Sequence, residues 1–254
     1  MKITILGCGT STGVPLLGCD CAVCLSKDPK NKRSRPSILV EQGETAVLID
    51  TAPDFREQIL QNGIRKIDAV LYTHDHADHV HGLDELRSFN YMQNRAMDIY
   101  SDVGTIHTIK QRFPYAFLDA SHNWVIPCLV PHIIEPYKKF TIGEFEILPF
   151  EQEHGRTKSL GFRFGDFAYA TDVNNFSDEA VEAMCGVDTL VIDSVGYKKL
   201  PTHFHLEETL AWIDKLAPRR AILTHMSHGF DYEKLHDELP ENVEPAYDGM
   251  VLEV

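Results

Sequence analysis

Across 254 residues, acidic side chains outnumber basic ones 38 to 24, for a formal charge of -14. Such a field repels a nucleic-acid backbone at long range, so no nucleic-acid partner is expected. Hydrophobic residues at 43% and charged residues at 24% are ordinary for a water-soluble protein, and no run approaches the roughly 18 apolar residues of a membrane span.

The opening "MKITILGCGTSTG" reads as a strand and turn, not a secretory signal, so a cytoplasmic location and one domain over residues 1–254 are expected. An irregular stretch follows to about Pro36 and contains "GCDCAVC". "SILVEQGETAVLIDTA" then reads as two strands around a glycine turn, and "PDFREQILQNG" as a helix begun by Pro53 and Asp54 and stopped near Asn62-Gly63. "AVLYT" is a buried strand with His74 at its exit. Helical spacing resumes at Leu83, Leu86 and Phe89 or Tyr91, which assigns the intervening histidine-rich segment to a strand-to-helix loop. "DIYSD" suggests a strand and "VGTIHTIKQRFPYAF" a helix interrupted at Pro114, while Asp119–Tyr137 shows no clear pattern. Strands return in "KFTIGEFEILPFEQEHG", "SLGFRFGDFAYATDVN", "TLVIDSV" and "RAILTHMSHG". "HLEETLAWIDKLA" is helical through Leu206, Leu210, Ile213 and Leu216, and "VEPAYDGMVLEV" reads as one short closing strand. Hairpins open each half and strand-helix alternation closes it, which predicts an α/β fold with two mixed sheets face to face and helices outside.

One event recurs along this path: a strand ends and a polar, ligand-type residue follows, at Asp50, His74, His154, Asp172, Asp193 and His225. Loops at strand ends are where rigid frameworks place chemistry. The densest case is His74-Asp75-His76-Ala77-Asp78-His79, where imidazole nitrogen and carboxylate oxygen suit zinc, manganese or iron. One ion does not need so many donors. A pair would use His74, His76 and His154 for one ion and Asp78, His79 and His225 for the other, with Asp172 bridging. His81 falls outside the group and is read as capping or solvating the next helix.

The pattern T-H-x-H-x-D-H after "VLYT", with the later His154, the Asp172 of "YATD" and the His225 of "ILTH", resembles the metallo-β-lactamase superfamily over effectively the whole chain. That resemblance implies an αββα sandwich with a two-metal hydrolase site between the sheets. It also implies that Asp50, at the end of "LID", supports the metal loop instead of binding metal.

Cys19, Cys21 and Cys24 have C-x-C-x2-C spacing and could fill three corners of a tetrahedral zinc, making residues 14–36 a zinc-binding excursion. His228, three positions after His225, is the candidate fourth ligand. Cys8, Cys128 and Cys185 are isolated and read as small core residues, and the run Lys30, Lys32, Arg33 and Arg35 as solvated charge. Together the cysteine and H-x-x-H motifs resemble one branch of the superfamily, the phosphoribosyl 1,2-cyclic phosphate phosphodiesterases of phosphonate breakdown. The resemblance implies hydrolysis of a small cyclic phosphate on a sugar or nucleotide by a hydroxide held on two divalent metals, zinc or manganese, beside one structural zinc.

His203 and His205, before the helix of "HLEETL", are the candidates to protonate the leaving alkoxide and to contact phosphate, with His203 favoured by its match to the branch. Asp78 joins them as a catalytic candidate. Thr12, in the small-residue turn "GCGTSTGVP", is a candidate substrate contact. The expected partner is a small anionic phosphodiester, and a homodimer is compatible with the general prior. Three other functions compete: tRNA 3′-end cleavage, hydrolysis of a thioester, lactone or β-lactam, and noncatalytic metal binding.

Overall fold

Lys2–Gly7 buries every residue after its lysine, as a strand covered on both faces must, and forms β1. In this computed structural model, which describes residues 1–118 and 125–254, five further strands follow in the first half. They are β2 (Ser37–Gln42), β3 (Thr45–Ile49), β4 (Ala69–Leu71), β5 (Met97–Ser101) and β6 (Leu129–Ile133). The second half supplies β7 (Phe140–Ile142), β8 (Phe145–His154), β9 (Thr157–Phe164), β10 (Phe167–Ala170), β11 (Thr189–Asp193), β12 (Arg220–Thr224), β13 (Val243–Pro245) and β14 (Val251–Glu253). They assemble as two seven-stranded sheets, β14-β1-β2-β3-β4-β5-β6 and β13-β12-β11-β10-β9-β8-β7. The pairing is antiparallel among β1, β2 and β3 and parallel from β3 to β6. In the second sheet it is antiparallel from β7 to β10 and parallel from β10 to β13.

Side-chain alternation places the layers. Ile38, Val40, Val47, Ile49, Ala69 and Leu71 face the second sheet and pack with Phe150, Phe162 and Tyr169. Their neighbours Leu39, Ala46, Leu48 and Val70 point the other way. That outer face is covered by α2 (Phe55–Gln61), α4 (Leu86–Gln93) and α5 (Val103–Arg112) through Phe55, Leu86, Phe89, Ile106 and Ile109. The second sheet is covered by α6 (Asp178–Met184) and α7 (Leu206–Leu216) through Ala180, Ala183, Met184, Ile213 and Leu216. Truncating a fully buried strand residue such as Leu48 to alanine would cost about 2–5 kcal/mol. The order is helix, sheet, sheet, helix: the αββα sandwich.

Three further helices are α1 (Ala22–Leu25) in the cysteine excursion, α3 (Ala77–Val80) and α8 (Tyr232–Glu238). The histidine-rich segment is therefore not all loop. Its second half is one helical turn, with His76 extended before it and Asp78 in its first turn, where a carboxylate is favoured by the exposed amides. Four residues are too few for periodicity to reveal.

Other expectations need correction. The closing segment forms two strands in different sheets, β13 and β14, because the chain crosses over at residues 246–250, with Gly249 at φ 87°. Of the isolated cysteines only Cys8 is in the core; Cys128 is half-buried, and Cys185 is exposed where α6 ends before Gly186. Arg33 is not solvated. It is 1% exposed, and its guanidinium donates to the carbonyls of Ser227 and Phe230 and to Asn31 Oδ1, fastening the excursion to the loop after β12. The featureless stretch that begins at Asp119 lies partly outside the described residues.

Candidate metal centre

The donors converge because parallel strands of both sheets end at one edge of the sandwich. β4 delivers His74 and the turn beyond it, β8 ends on His154, and β10, β11 and β12 are followed or ended by Asp172, Asp193 and His225. His74, His76, His154 and Asp172 bring one ligand atom each within 4.8 Å of one another, and so do Asp78, His79, Asp172 and His225. Asp172 belongs to both groups.

Three of the rings are held from behind. His79 Nδ1 lies 2.7 Å from Asp50 Oδ2 and His74 Nδ1 lies 2.9 Å from Thr73 Oγ1. Thr73 in turn donates its backbone N–H and hydroxyl to the Asp50 carboxylate at 2.8 and 2.9 Å. His154 Nδ1 donates to the Thr202 carbonyl at 2.8 Å. These contacts fix the rings and turn the opposite nitrogens inward. Backbone closes the support: Thr51 N–H donates to the His79 carbonyl, and Gly82 N–H to the Thr51 carbonyl. At Gly82 a Cβ would meet the Ala52 carbonyl oxygen at 2.1 Å, so only glycine allows this approach.

Strain marks the same place. Asp50, Asp172 and His225 adopt φ of 63°, 54° and 57°, the left-handed region that costs a non-glycine residue roughly 1–3 kcal/mol. Each turns the chain sharply just past a strand, aiming its side chain into the centre.

The electrostatics are dominated by burial and mutual charge. Burial opposes ionisation of Asp172, yet His225 and His79 hold it well below the ordinary carboxylate range, and His79 and His225 likewise hold Asp78 low against burial. Burial would pull His79 down, but the carboxylates of Asp172, Asp78 and Asp50 push it well above the usual imidazole value. Burial, reinforced by His79, takes His74 well below that value. His74 Nε2, His79 Nε2, His225 Nε2 and Asp78 Oδ2 are buried without a hydrogen-bond partner among the described residues. His154 Nε2 and His76 Nδ1 face each other at 3.3 Å. Inward-facing acceptors of this kind, in two sets of nitrogen and carboxylate oxygen, fit a pair of divalent cations.

Above this centre sits His203. Its ring stacks on His225 at 4.5 Å and meets His154 edge-on at 4.8 Å, while Nδ1 lies 2.8 Å from Asp193 Oδ2. Burial would lower its pKa, but Asp193 outweighs that and lifts it to about 9. His205 is not brought into the cluster: it precedes α7, and its Nδ1 lies 2.7 Å from Glu208 Oε2, one turn into that helix. Thr12 also lies apart, its hydroxyl 3.2 Å from that of Thr10, lining a cavity with Lys32, Arg35 and Asp248. His81 ends α3 and is exposed. The sequence pointed to Asp193 only as a strand-end residue; its partnership with His203, ten positions on, depends on the path between β11 and α7.

A separate group joins Cys19, Cys21, Cys24 and His228, again with ligand atoms within 4.8 Å. Three thiols and one imidazole are a donor set of structural zinc sites. His228 Nδ1 lies 3.5 Å from Cys19 Sγ and 3.4 Å from Cys21 Sγ. The hydrogen bond with His228 draws the Cys21 thiol down to about 6, and desolvation raises Cys24 to about 11. Among the described residues, no helix is long and apolar enough to cross a membrane.

Comparison with known proteins agrees with this architecture. The Beta-lactamase superfamily domain matches residues 45–226. An octanoyltransferase of Porphyromonas gingivalis is 35% identical over 98% of this chain and 51% of its own length. A ribonuclease Z of a Bradyrhizobium species is 33% identical over 54% of this chain and 46% of its own. The chain thus spans about half the length of these curated relatives. Among solved structures, a new diphosphatase from the PhnP family is 38% identical with a TM-score of 0.92, covering 100% of this chain and 97% of that one.

Proposed function

Because this chain belongs to the β-lactamase superfamily, we propose that it is a metal-dependent phosphodiesterase that opens a small cyclic phosphate on a sugar or nucleotide, with phosphoribosyl 1,2-cyclic phosphate as the leading substrate. The observation that carries the reading is the pair of four-donor groups sharing Asp172, with His203 overhanging both. His74, His76, His154 and Asp172 would hold one divalent ion, zinc or manganese, and Asp78, His79, His225 and Asp172 the other. When bound, such a pair supplies a nucleophile from water and offsets charge growing on the phosphoryl oxygens.

The chain's own groups do the rest. Asp50 and Thr73 orient His79 and His74. Asp193 accepts from His203 Nδ1, which fixes the ring with Nε2 toward the site. As a P–O bond forms to the nucleophile and the ester P–O bond breaks, the proton on His203 Nε2 passes to the departing alkoxide. This role falls to His203 over His205, whose ring is committed to Glu208. Cys19, Cys21, Cys24 and His228 would hold a structural zinc that fastens the excursion beside His225.

A second reading, hydrolysis of a diphosphate, is favoured by the 38% identical relative described as a diphosphatase. It uses the same displacement at phosphorus. The charge of -14 weighs against precursor tRNA, the substrate class suggested by the ribonuclease Z relatives. The deciding experiment compares turnover of 5-phosphoribosyl 1,2-cyclic phosphate, a cyclic nucleotide, a nucleoside-diphosphate sugar and precursor tRNA by the metal-loaded protein. Cyclic phosphate should be the best substrate by kcat/KM; preference for the diphosphate or the tRNA overturns the reading.

A further inference from the structure

Asp172 is backed by three buried side chains that belong to neither donor group: Thr171, Ser159 and Gln152, each at most 1% exposed. Thr171, the first residue past β10, donates its hydroxyl to Asp172 Oδ2 at 2.8 Å. Ser159, on β9, donates its hydroxyl to the Asp172 carbonyl at 2.8 Å. Gln152, on β8, donates its amide to the Thr171 carbonyl at 2.9 Å and to Ser159 Oγ at 3.0 Å. Three neighbouring strands of the second sheet thus hold the left-handed turn at Asp172, where φ is 54°. Only Thr171 touches the carboxylate itself.

The two oxygens of that carboxylate are not equivalent. Oδ1 faces both donor groups, lying 3.9 and 3.8 Å from Nε2 of His74 and His154 in one and 3.4 Å from His225 Nε2 in the other. Oδ2 lies 3.1 Å from His79 Nε2 and accepts from Thr171. A hydroxyl bonded to one carboxylate oxygen engages a lone pair there and fixes the carboxylate plane, which leaves the other oxygen as the better ligand.

We propose that Thr171 is a positioning residue: its hydroxyl engages Asp172 Oδ2 and so makes Oδ1 the single oxygen shared by the two cations. The proposal rests on the two-metal phosphodiesterase reading and goes beyond it, because the way a carboxylate is shared sets how closely the two ions are coupled. A hydroxyl that only satisfied a buried carboxylate would cost stability when removed and leave metal binding unchanged. Thr171 is tested by metal binding, not by stability.

The experiment loads the histidine centre of the wild type, Thr171→Val and Thr171→Ser with manganese, and reads chelator competition, Tm and the electron paramagnetic resonance spectrum. Valine keeps the branched shape and deletes the donor; serine keeps the donor. In Thr171→Val the centre should bind its ions about 10- to 100-fold more weakly and show a changed spin-coupled spectrum, while the cysteine-bound ion stays in place. Thr171→Ser should restore the wild-type spectrum and most of the affinity. A Thr171→Val protein that loses only Tm, with affinity and spectrum unchanged, overturns the proposal. Diffraction from the metal-loaded wild type decides the matter even where the valine variant does not fold: both ions should contact Asp172 Oδ1 and neither Oδ2, and coordination through Oδ2 overturns the assignment. A wild type holding fewer than two coupled ions at the histidine centre overturns the two-metal reading and this proposal together, whereas a coupled pair indifferent to Thr171→Val overturns the proposal alone.

Discussion

Six of the seven donors in the histidine centre are buried, and they lie at or just beyond strand ends of both sheets, with Asp78 and His79 in the α3 turn; in the cysteine group only Cys24 is buried, and its three cysteines lie around the single turn of α1. The first group is held by protein contacts of its own, from Asp50, Thr73, the Thr202 carbonyl and the close pass at Gly82. The excursion has less support of its own, chiefly the Arg33 guanidinium and the Asn31 amide reaching across to the loop after β12. The difference separates two uses of a cation. One site is prepared by the fold to carry out chemistry, and the other would use the ion to complete the fold.

That contrast breaks most visibly at Asp172. Asp172→Ala removes a donor from both histidine groups, and should lower phosphodiester hydrolysis by more than about 10⁴-fold, beyond the cost of losing one stabilising donor. Metal analysis should show the same variant short of about two ions per chain while the cysteine-bound ion remains. If His203 donates the proton and is no ligand, as proposed, His203→Gln should reduce kcat by about 10²- to 10³-fold with metal content unchanged. Asp50→Asn tests the preparation itself: competition with a chelator should show the histidine centre binding metal 10- to 100-fold more weakly. Cys21→Ser should act in the opposite sense, costing one ion per chain and lowering Tm by roughly 5 °C, about 2 kcal/mol for a chain of this size, while kcat falls less than tenfold. A larger catalytic effect from Cys21→Ser than from Asp50→Asn would erase the distinction.

The smallest effect lies where the excursion returns to β1. Asp248 accepts from the Ser34 N–H at 2.7 Å and from the Cys8 N–H at 3.1 Å, and burial lifts its carboxyl from 3.8 to about 6. A raised carboxyl pKa means that the folded chain holds a proton the unfolded chain has released. The associated stability is present below about pH 4 and is lost as pH rises through 6. Asp248→Asn should flatten this slope, and urea unfolding of both proteins between pH 4 and 7 should differ by about 1–2 kcal/mol across the range.

Much of this was legible in the sequence. Strand cores alternate or run apolar, and histidines and aspartates at strand ends are conspicuous, so the two-sheet architecture and the donors to compare could be read directly. What escaped was set by three-dimensional path. The α3 turn is too short for a periodic signal. The positive φ at Asp50, Asp172 and His225 has no mark in residues that are not glycine. Arg33 sits in a basic run that looks solvated, and only the fold reveals the carbonyls of Ser227 and Phe230, 194 and 197 positions away, that take it inside. His205 resembles His203 in one dimension and is separated from it by a single turn of pairing with Glu208.

The central claim is that seven side chains from both sheets surround two cations. Anomalous diffraction from crystals of the zinc- or manganese-loaded protein tests it most directly. Two peaks about 3.5–4 Å apart, both at coordinating distance from Asp172, are expected beside a separate one among Cys19, Cys21, Cys24 and His228. A single peak, or none, between His74 and His225 in fully loaded, active protein would contradict it.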